Sequence, residues 1–274
     1  MRIDAHQHFW QYKESMDWIT PAMSVIRKDF LPVDLSPLLK ENGIDGCIAV
    51  QADQTANETL FLLEQSEKNS FIKGVVGWVD LRAENIVKQL SDYGQQSKLK
   101  GFRYVLQNEA PGFMLSTDFV RGIAALKAFN FTYDLLVFPH HLPAALDLVK
   151  QFPQQAFVID HIAKPKIKEG AIARWGEDIA AIAKHENVYC KISGMVTEAD
   201  WTEWKQADFI PYLDIITNAF GTGRIMYGSD WPVCLVAASY EEVTGITKKY
   251  FSSFSNTEQQ AIFGGNATQF YHLS

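Results

Sequence analysis

Cysteine is scarce in this chain of 274 residues: the three present, Cys47, Cys190 and Cys234, stand far apart and show no CxxC spacing. That excludes a disulfide framework and a thiolate metal cluster, and their places in or just after apolar runs make them reduced core thiols. Long hydrophobic runs are missing too, since none approaches the roughly 20 residues of a membrane span. Positive charge is in deficit, with 25 Lys and Arg against 32 Asp and Glu and a net charge of −7. No Lys/Arg cluster interrupts that balance, so phosphate backbones and anionic lipid would be repelled, and nucleic acid and membrane are excluded as partners. Internal repeats, low-complexity tracts and domain linkers are lacking as well. A histidine motif stands where a signal peptide would place its apolar segment, so the cytoplasm is the expected compartment.

What is present is an ordinary globular composition, 47% hydrophobic and 21% charged, in a chain long enough for one α/β barrel, a fold that runs to about 250 residues or more as a single unit. Eight short β-branched or aromatic runs stand out: Arg2–His8, Cys47–Gln51, Ile72–Val79, Gly101–Leu106, Phe131–Val137, Ala156–Asp160, Val188–Ile192 and Arg224–Tyr227. Helical patterns separate them. Phe119, Ile123 and Leu126 follow the caps Ser116 and Thr117, and Ile172, Trp175, Ile179, Ile182 and Ala183 share one face before His185, placed to complement a helix C-terminus. Strand and helix in eightfold alternation predict a single-domain (β/α)8 TIM barrel over residues 1–274.

The first run ends His6-Gln7-His8, and the alternation of a strand puts both imidazoles on one face as a pair of ligands. A His-x-His alone is a weak motif; its weight comes from the other strand ends, which converge on one rim of a barrel. His161 follows strand six, Asp230 follows strand eight, and Arg103 lies on strand four. Imidazoles neutral near pH 7 and a carboxylate that can take a proton from water or hold a metal form a hydrolytic kit. The bland alternatives are a core histidine, a helix cap and a buried ion pair respectively. The long aromatic segment from Phe9 to Pro32 reads as an active-site loop over that rim. Trp201, Trp204 and Phe209 sit at helical spacing and read as core or lid packing rather than a binding box. His140 and His141 read as exposed loop residues.

Five motifs in order, Ile3-Asp4-Ala5-His6-Gln7-His8-Phe9-Trp10, Gly101-Phe102-Arg103, Asp160-His161-Ile162-Ala163-Lys164-Pro165, Lys191-Ile192-Ser193-Gly194 and Gly228-Ser229-Asp230-Trp231-Pro232, resemble the amidohydrolase superfamily, in the branch called amidohydrolase-2 that contains sugar-lactone hydrolases. The resemblance covers nearly the whole chain. It implies His6, His8, His161 and Asp230 around a reacting carbonyl, with Asp230 as general base and His161 as its catalytic companion. It implies His6, His8 and Asp230 as ligands of one divalent metal, zinc by the donor set. A second metal is not expected, because Arg103 stands where many members place a bridging Lys or Glu on strand four. Phe138-Pro139 replaces the strand-five His-Pro of a related decarboxylase group. Metal-independent action stays open, since pyrone-dicarboxylate lactonases have a similar set and work without metal. The expected substrate is a small neutral lactone of the L-fucono-, L-rhamnono- or L-galactono- type, bound by Arg103, Lys164, Trp10, Trp78 and Trp231. Another lactone, such as 2-pyrone-4,6-dicarboxylate, or carbon–carbon bond cleavage on the same scaffold, is the alternative, and homo-oligomerisation is left open.

Overall fold

The computed structural model describes all residues from 1 to 274. Strands and helices alternate as β1 (Ile3–Gln7), α1 (Pro32–Asn42), β2 (Gly46–Val50), α2 (Ala56–Lys68), β3 (Ile72–Gly77), α3 (Ile86–Tyr93), β4 (Leu99–Val105), α4 (Thr117–Leu126), β5 (Thr132–Leu136), α5 (Leu142–Gln151), β6 (Phe157–Ile159), α6 (Ala173–Ile182), β7 (Val188–Ile192), α7 (Gln206–Phe220), β8 (Ile225–Tyr227) and α8 (Tyr240–Tyr250). The eight strands pair in parallel and in sequence order. The ring is closed just beyond β8: the His8 amide donates to the Trp231 carbonyl at 2.7 Å and the Asp230 amide to the His6 carbonyl at 2.8 Å. The expected (β/α)8 barrel is what the chain forms, and no helix is long and apolar enough to cross a membrane.

The apolar face of each helix seals against the outside of the barrel. On α4 the buried residues Phe119, Ile123 and Leu126 are the ones that the three- and four-residue spacing picks out. On α6 they are Trp175, Ile179 and Ile182. The carbonyls beyond α6 are met by a cation, but by Arg224 rather than His185: its guanidinium donates to the carbonyls of Ala183, His185 and Val188 at 2.9–3.0 Å. A smaller inner cluster, including Ile3, Ala5, Ile48, Val50, Val76, Val158 and Met226, fills the barrel floor and is plugged by Ala267, Phe270 and Tyr271 near the C-terminus. The three cysteines are buried and free.

One irregularity in β1 positions the site. Asp4 registers with Cys47 and Gln7 with Ala49, so three steps on β1 answer two on β2, which is a β-bulge. Ile3 and Ala5 therefore pack in the inner cluster, while Asp4 turns outward to bond Ser229 and the Tyr240 hydroxyl of α8. Past the bulge the phase is reversed. His6 and His8 now face inward, above the inner cluster that Ile3 and Ala5 join.

Candidate active site

His6, His8, His161 and Asp230 meet at the C-terminal mouth of the barrel. Nε2 of His6 and of His8 are 3.3 Å apart. Asp230 Oδ1 lies 3.4 Å from His8 Nε2, 3.8 Å from His161 Nε2 and 4.0 Å from His6 Nε2. All four residues are buried, and each imidazole has its other nitrogen engaged from behind. His8 Nδ1 is 2.8 Å from the Val50 carbonyl, which can only accept, so this nitrogen carries the proton and Nε2 offers a lone pair. His161 Nδ1 meets the Ser193 hydroxyl at 2.9 Å. His6 Nδ1 has both an acceptor, Asp160 Oδ1 at 3.2 Å, and a donor, Lys191 Nζ at 3.2 Å. Burial holds all three imidazoles below the usual histidine range, which keeps them neutral.

This donor set fits a divalent cation. Lone pairs that converge at van der Waals distance repel unless a positive charge sits among them, and imidazoles backed by a carbonyl, a hydroxyl or a carboxylate are the usual supports of metal ligands. Asp230 adds one oxygen to the cluster and keeps Oδ2 without any hydrogen-bond partner although it is buried. The donor atoms of His6, His161 and Asp230 lie within 4.8 Å of one another, so His161 joins the cluster that the sequence reading built from His6, His8 and Asp230, while His8 Nε2 stands beside it, 3.3 Å from His6 and 3.4 Å from Asp230. Nitrogen with carboxylate oxygen is a donor set that zinc takes.

Local backbone conformation aims these groups. Residues His161 to Lys164 run through four successive left-handed conformations, with φ between 48° and 60°, and Asp230 is left-handed at φ 59°. For L-residues this costs about 1–3 kcal/mol apiece, a strain found where geometry at a site outweighs local comfort. The turn is pinned at Ile162, whose carbonyl accepts from the Trp175 indole at 2.8 Å. Changing Trp175 to Phe should therefore leave that carbonyl unpaired, lower stability by about 1–3 kcal/mol and lower turnover as His161 loosens, measured by urea unfolding beside kinetics. Two glycines make room for the histidines. A Cβ on Gly228 would come within 2.7 Å of His6 Cβ, and one on Gly194 within 2.5 Å of His161 Nδ1.

Below the quartet lies a charge network largely missed in the sequence. Asp160, buried on the outlet of β6, takes Arg103 Nη1 at 3.1 Å on Oδ2 and has Lys191 Nζ 3.0 Å from Oδ1. Burial alone would raise its pKa, but Lys191, His6 and Arg103 outweigh that and hold the carboxyl well below its usual range. Lys191, with no solvent exposure, also contacts Asp134 Oδ2 at 2.5 Å. Arg103 donates further to the Gln51 carbonyl, lies 3.2 Å from His6 Nε2 and keeps a buried, unpartnered Nε. A signal existed for Asp160, which adjoins His161 in the sequence, and for Lys191, which opens a recognised motif. Nothing marked Asp134.

Above the quartet opens a cavity of about 410 Å³, lined among others by His8, Arg103, His161, Lys164, Trp18 and Trp201. Arg103 and Lys164 thus stand where the sequence reading put them. Trp10, Trp78 and Trp231 do not line it. Trp10 is buried behind His8, its indole donating to the Lys28 carbonyl at 2.9 Å, and Trp231 packs edge-on against Phe9 and Phe30. Trp78 packs against the outer core with its backbone tied to Thr59. Strand-end position placed these indoles near the rim, but their side chains turn into the helix layer. The walls come instead from Trp18, in the Phe9–Pro32 loop as that loop's reading implied, and from Trp201. Trp201 lies in irregular turns, so helical spacing did not apply; Trp204 and Phe209 do pack together, 5.4 Å between rings. His141 is not exposed: it is buried, accepting from the Phe138 amide and bonded to the Glu109 carbonyl at 2.9 Å, which leaves it no lone pair for a metal.

The amidohydrolase family model matches residues 3–273. An L-fucono-1,5-lactonase of Burkholderia multivorans is 41% identical over all of this chain and 96% of its own length. A solved amidohydrolase from Burkholderia multivorans with bound zinc is 40% identical, superposes with a TM-score of 0.97 and is covered completely in both directions. A probable 2-pyrone-4,6-dicarboxylic acid hydrolase from Acinetobacter baumannii, at 16% identity, 99% coverage of each chain and TM-score 0.79, shares the fold. The barrel agrees with these likenesses, and the chain belongs to the amidohydrolase family.

Proposed function

We propose that this protein hydrolyses a neutral sugar lactone of the L-fucono-1,5-lactone kind to its aldonic acid. The observation that carries this reading is the state of the two cations in the cavity wall. Arg103 is taken up by Asp160 and the Gln51 carbonyl, and Lys164 Nζ by Glu198 Oε1 at 3.0 Å. Neither is left to pair a substrate carboxylate, while Asp17 and Asp53 add negative charge to the lining. A dianionic pyrone would meet no pair of free cations. A polyhydroxylated ring finds Gln54, Gln107 and Asn108 for its hydroxyls and Trp18 and Trp201 for its C–H faces. The 41% identity to an L-fucono-1,5-lactonase supports the same reading.

In the mechanism we propose, the lactone carbonyl lies over the quartet with a water beside Asp230 Oδ2. That oxygen, free of partners, takes the proton as the water oxygen bonds the carbonyl carbon. The Arg103 guanidinium, held by Asp160 and the Gln51 carbonyl, sits in the cavity wall as a fixed field for the developing oxyanion and makes no direct bond to it. As the acyl–oxygen bond breaks, Asp230 returns the proton to the departing ring oxygen. His6, His8, His161 and Asp230 Oδ1 would hold a zinc ion, which when bound supplies Lewis acidity at the carbonyl and the water.

Turnover of L-fucono-, L-rhamnono- and L-galactono-lactones should exceed that of 2-pyrone-4,6-dicarboxylate in side-by-side proton-release assays; preference for the dianion would sink the proposal. The acidic lining should also expel the anionic product. Aldonate inhibition is expected to be weak, and the double change Asp17→Asn and Asp53→Asn should strengthen it by about fivefold at low salt, the scale of exposed charge pairs.

A further inference from the structure

We infer that Lys191 and Asp160 make His6 a ligand with two resting tautomers, one for the metal-free site and one for the metal-bound site. The inference rests on the metal-binding reading of the quartet and is independent of the substrate. His6 Nδ1 is the same 3.2 Å from a group that can only donate, Lys191 Nζ, and from one that can only accept, ionised Asp160 Oδ1. His6 Nε2 is likewise flanked by an acceptor, His8 Nε2 at 3.3 Å, and by a donor, Arg103 Nη1 at 3.2 Å. His8 has no such choice, because the Val50 carbonyl fixes its proton on Nδ1.

Two arrangements follow. With the proton on Nε2, His6 donates to the His8 lone pair and accepts from Lys191, no cation is needed to separate the two imidazoles, and Arg103 Nη1, whose N–H faces Nε2 at 3.2 Å, has to tilt off it toward Asp160 Oδ2. With the proton on Nδ1, a small turn of the ring lets it donate to Asp160 Oδ1, a buried oxygen 3.2 Å away that has no aligned hydrogen bond as the side chains stand, and Nε2 turns a lone pair to the cation. On entry of the metal the Nε2 proton leaves to water and one proton is taken up from water at Nδ1. One proton leaves and one arrives, so His6 remains neutral. Asp134 and the Tyr271 hydroxyl, 2.9 Å from Asp134 Oδ2, hold Lys191 in place for the first arrangement. Lys191 and Asp160 are thus positioning residues: each favours one proton position on His6, and Lys191 competes with the metal.

The test is nitrogen-15 NMR of the histidine-labelled full chain, chelator-treated and then titrated with zinc, with a His6→Asn variant to assign the resonances. His6 is expected to carry its proton on Nε2 without metal and on Nδ1 with zinc, while His8 keeps Nδ1–H in both. The charge-balanced double variant Lys191→Met, Asp134→Asn should show Nδ1–H at His6 before zinc is added, and should bind zinc about tenfold more tightly by chelator competition, the scale of such supports. A wild-type His6 already protonated on Nδ1 in the metal-free protein overturns the inference while leaving the metal site standing. No response of any histidine to zinc overturns both. Should the double variant fail to fold, the wild-type spectra alone decide.

Discussion

Replacing Asp230 with Asn is expected to lower kcat by about 100- to 10,000-fold, the range in which a positioned general base contributes, while the protein folds as before. The amide keeps the shape of the side chain, and the backbone bonds that hold residue 230, its amide to the His6 carbonyl at 2.8 Å and its carbonyl from the Cys234 amide at 2.9 Å, are untouched. What disappears is the basic oxygen that has no partner within the protein. KM should move little by comparison, because the loss falls on the transition state. The thermal midpoint separates this outcome from unfolding. Near-normal turnover in the Asn variant would remove Asp230 as the base and transfer attention to His161.

Changing Gly194 to Ala should be almost as damaging although the residue has no side chain to do chemistry. Gly194 has φ 59°, and a Cβ there would lie 2.5 Å from His161 Nδ1, 2.7 Å from Cγ and 3.0 Å from Cβ of the same residue. The imidazole cannot yield, since its turn runs through four left-handed residues pinned to Trp175. Either the His161 ring rotates away from Ser193 or the β7 outlet shifts. We expect about a 100-fold loss of kcat, the order seen when a reacting group is displaced by an ångström, and a stability loss of about 1–3 kcal/mol from the strained alanine. Equilibrium denaturation beside steady-state kinetics checks both. Full activity would show that His161 has slack that the contacts do not suggest.

The barrel was legible because its signals are redundant: eight strand runs, each bounded by a helical pattern, leave few architectures open. The quartet was legible for a related reason. Strand ends of a barrel share one mouth, so position alone brought His6, His8, His161 and Asp230 together. Side-chain direction beyond the strands was not legible. The bulge in β1 cannot be seen in Asp4-Ala5-His6, yet it decides that Asp4 faces α8 and His6 the cavity. The tryptophans show the same limit: Trp10 and Trp231 follow their strands into the outer core, whereas Trp18 and Trp201 reach the cavity from long loops whose course no periodicity reports. Asp134 and Lys191 lie on inward strand positions where a sequence reader expects apolar side chains, and only their spatial pairing shows that their charges answer each other.

The central claim, that water held beside Asp230 attacks the acyl carbon of a neutral sugar lactone, is tested most directly by hydrolysing L-fucono-1,5-lactone in oxygen-18 water and locating the label by mass spectrometry, with the Asp230→Asn variant as background. The account predicts rapid enzyme-dependent opening with one labelled oxygen in the carboxylate and none on the freed ring hydroxyl. Label on the hydroxyl, or opening no faster than with the variant, would contradict it.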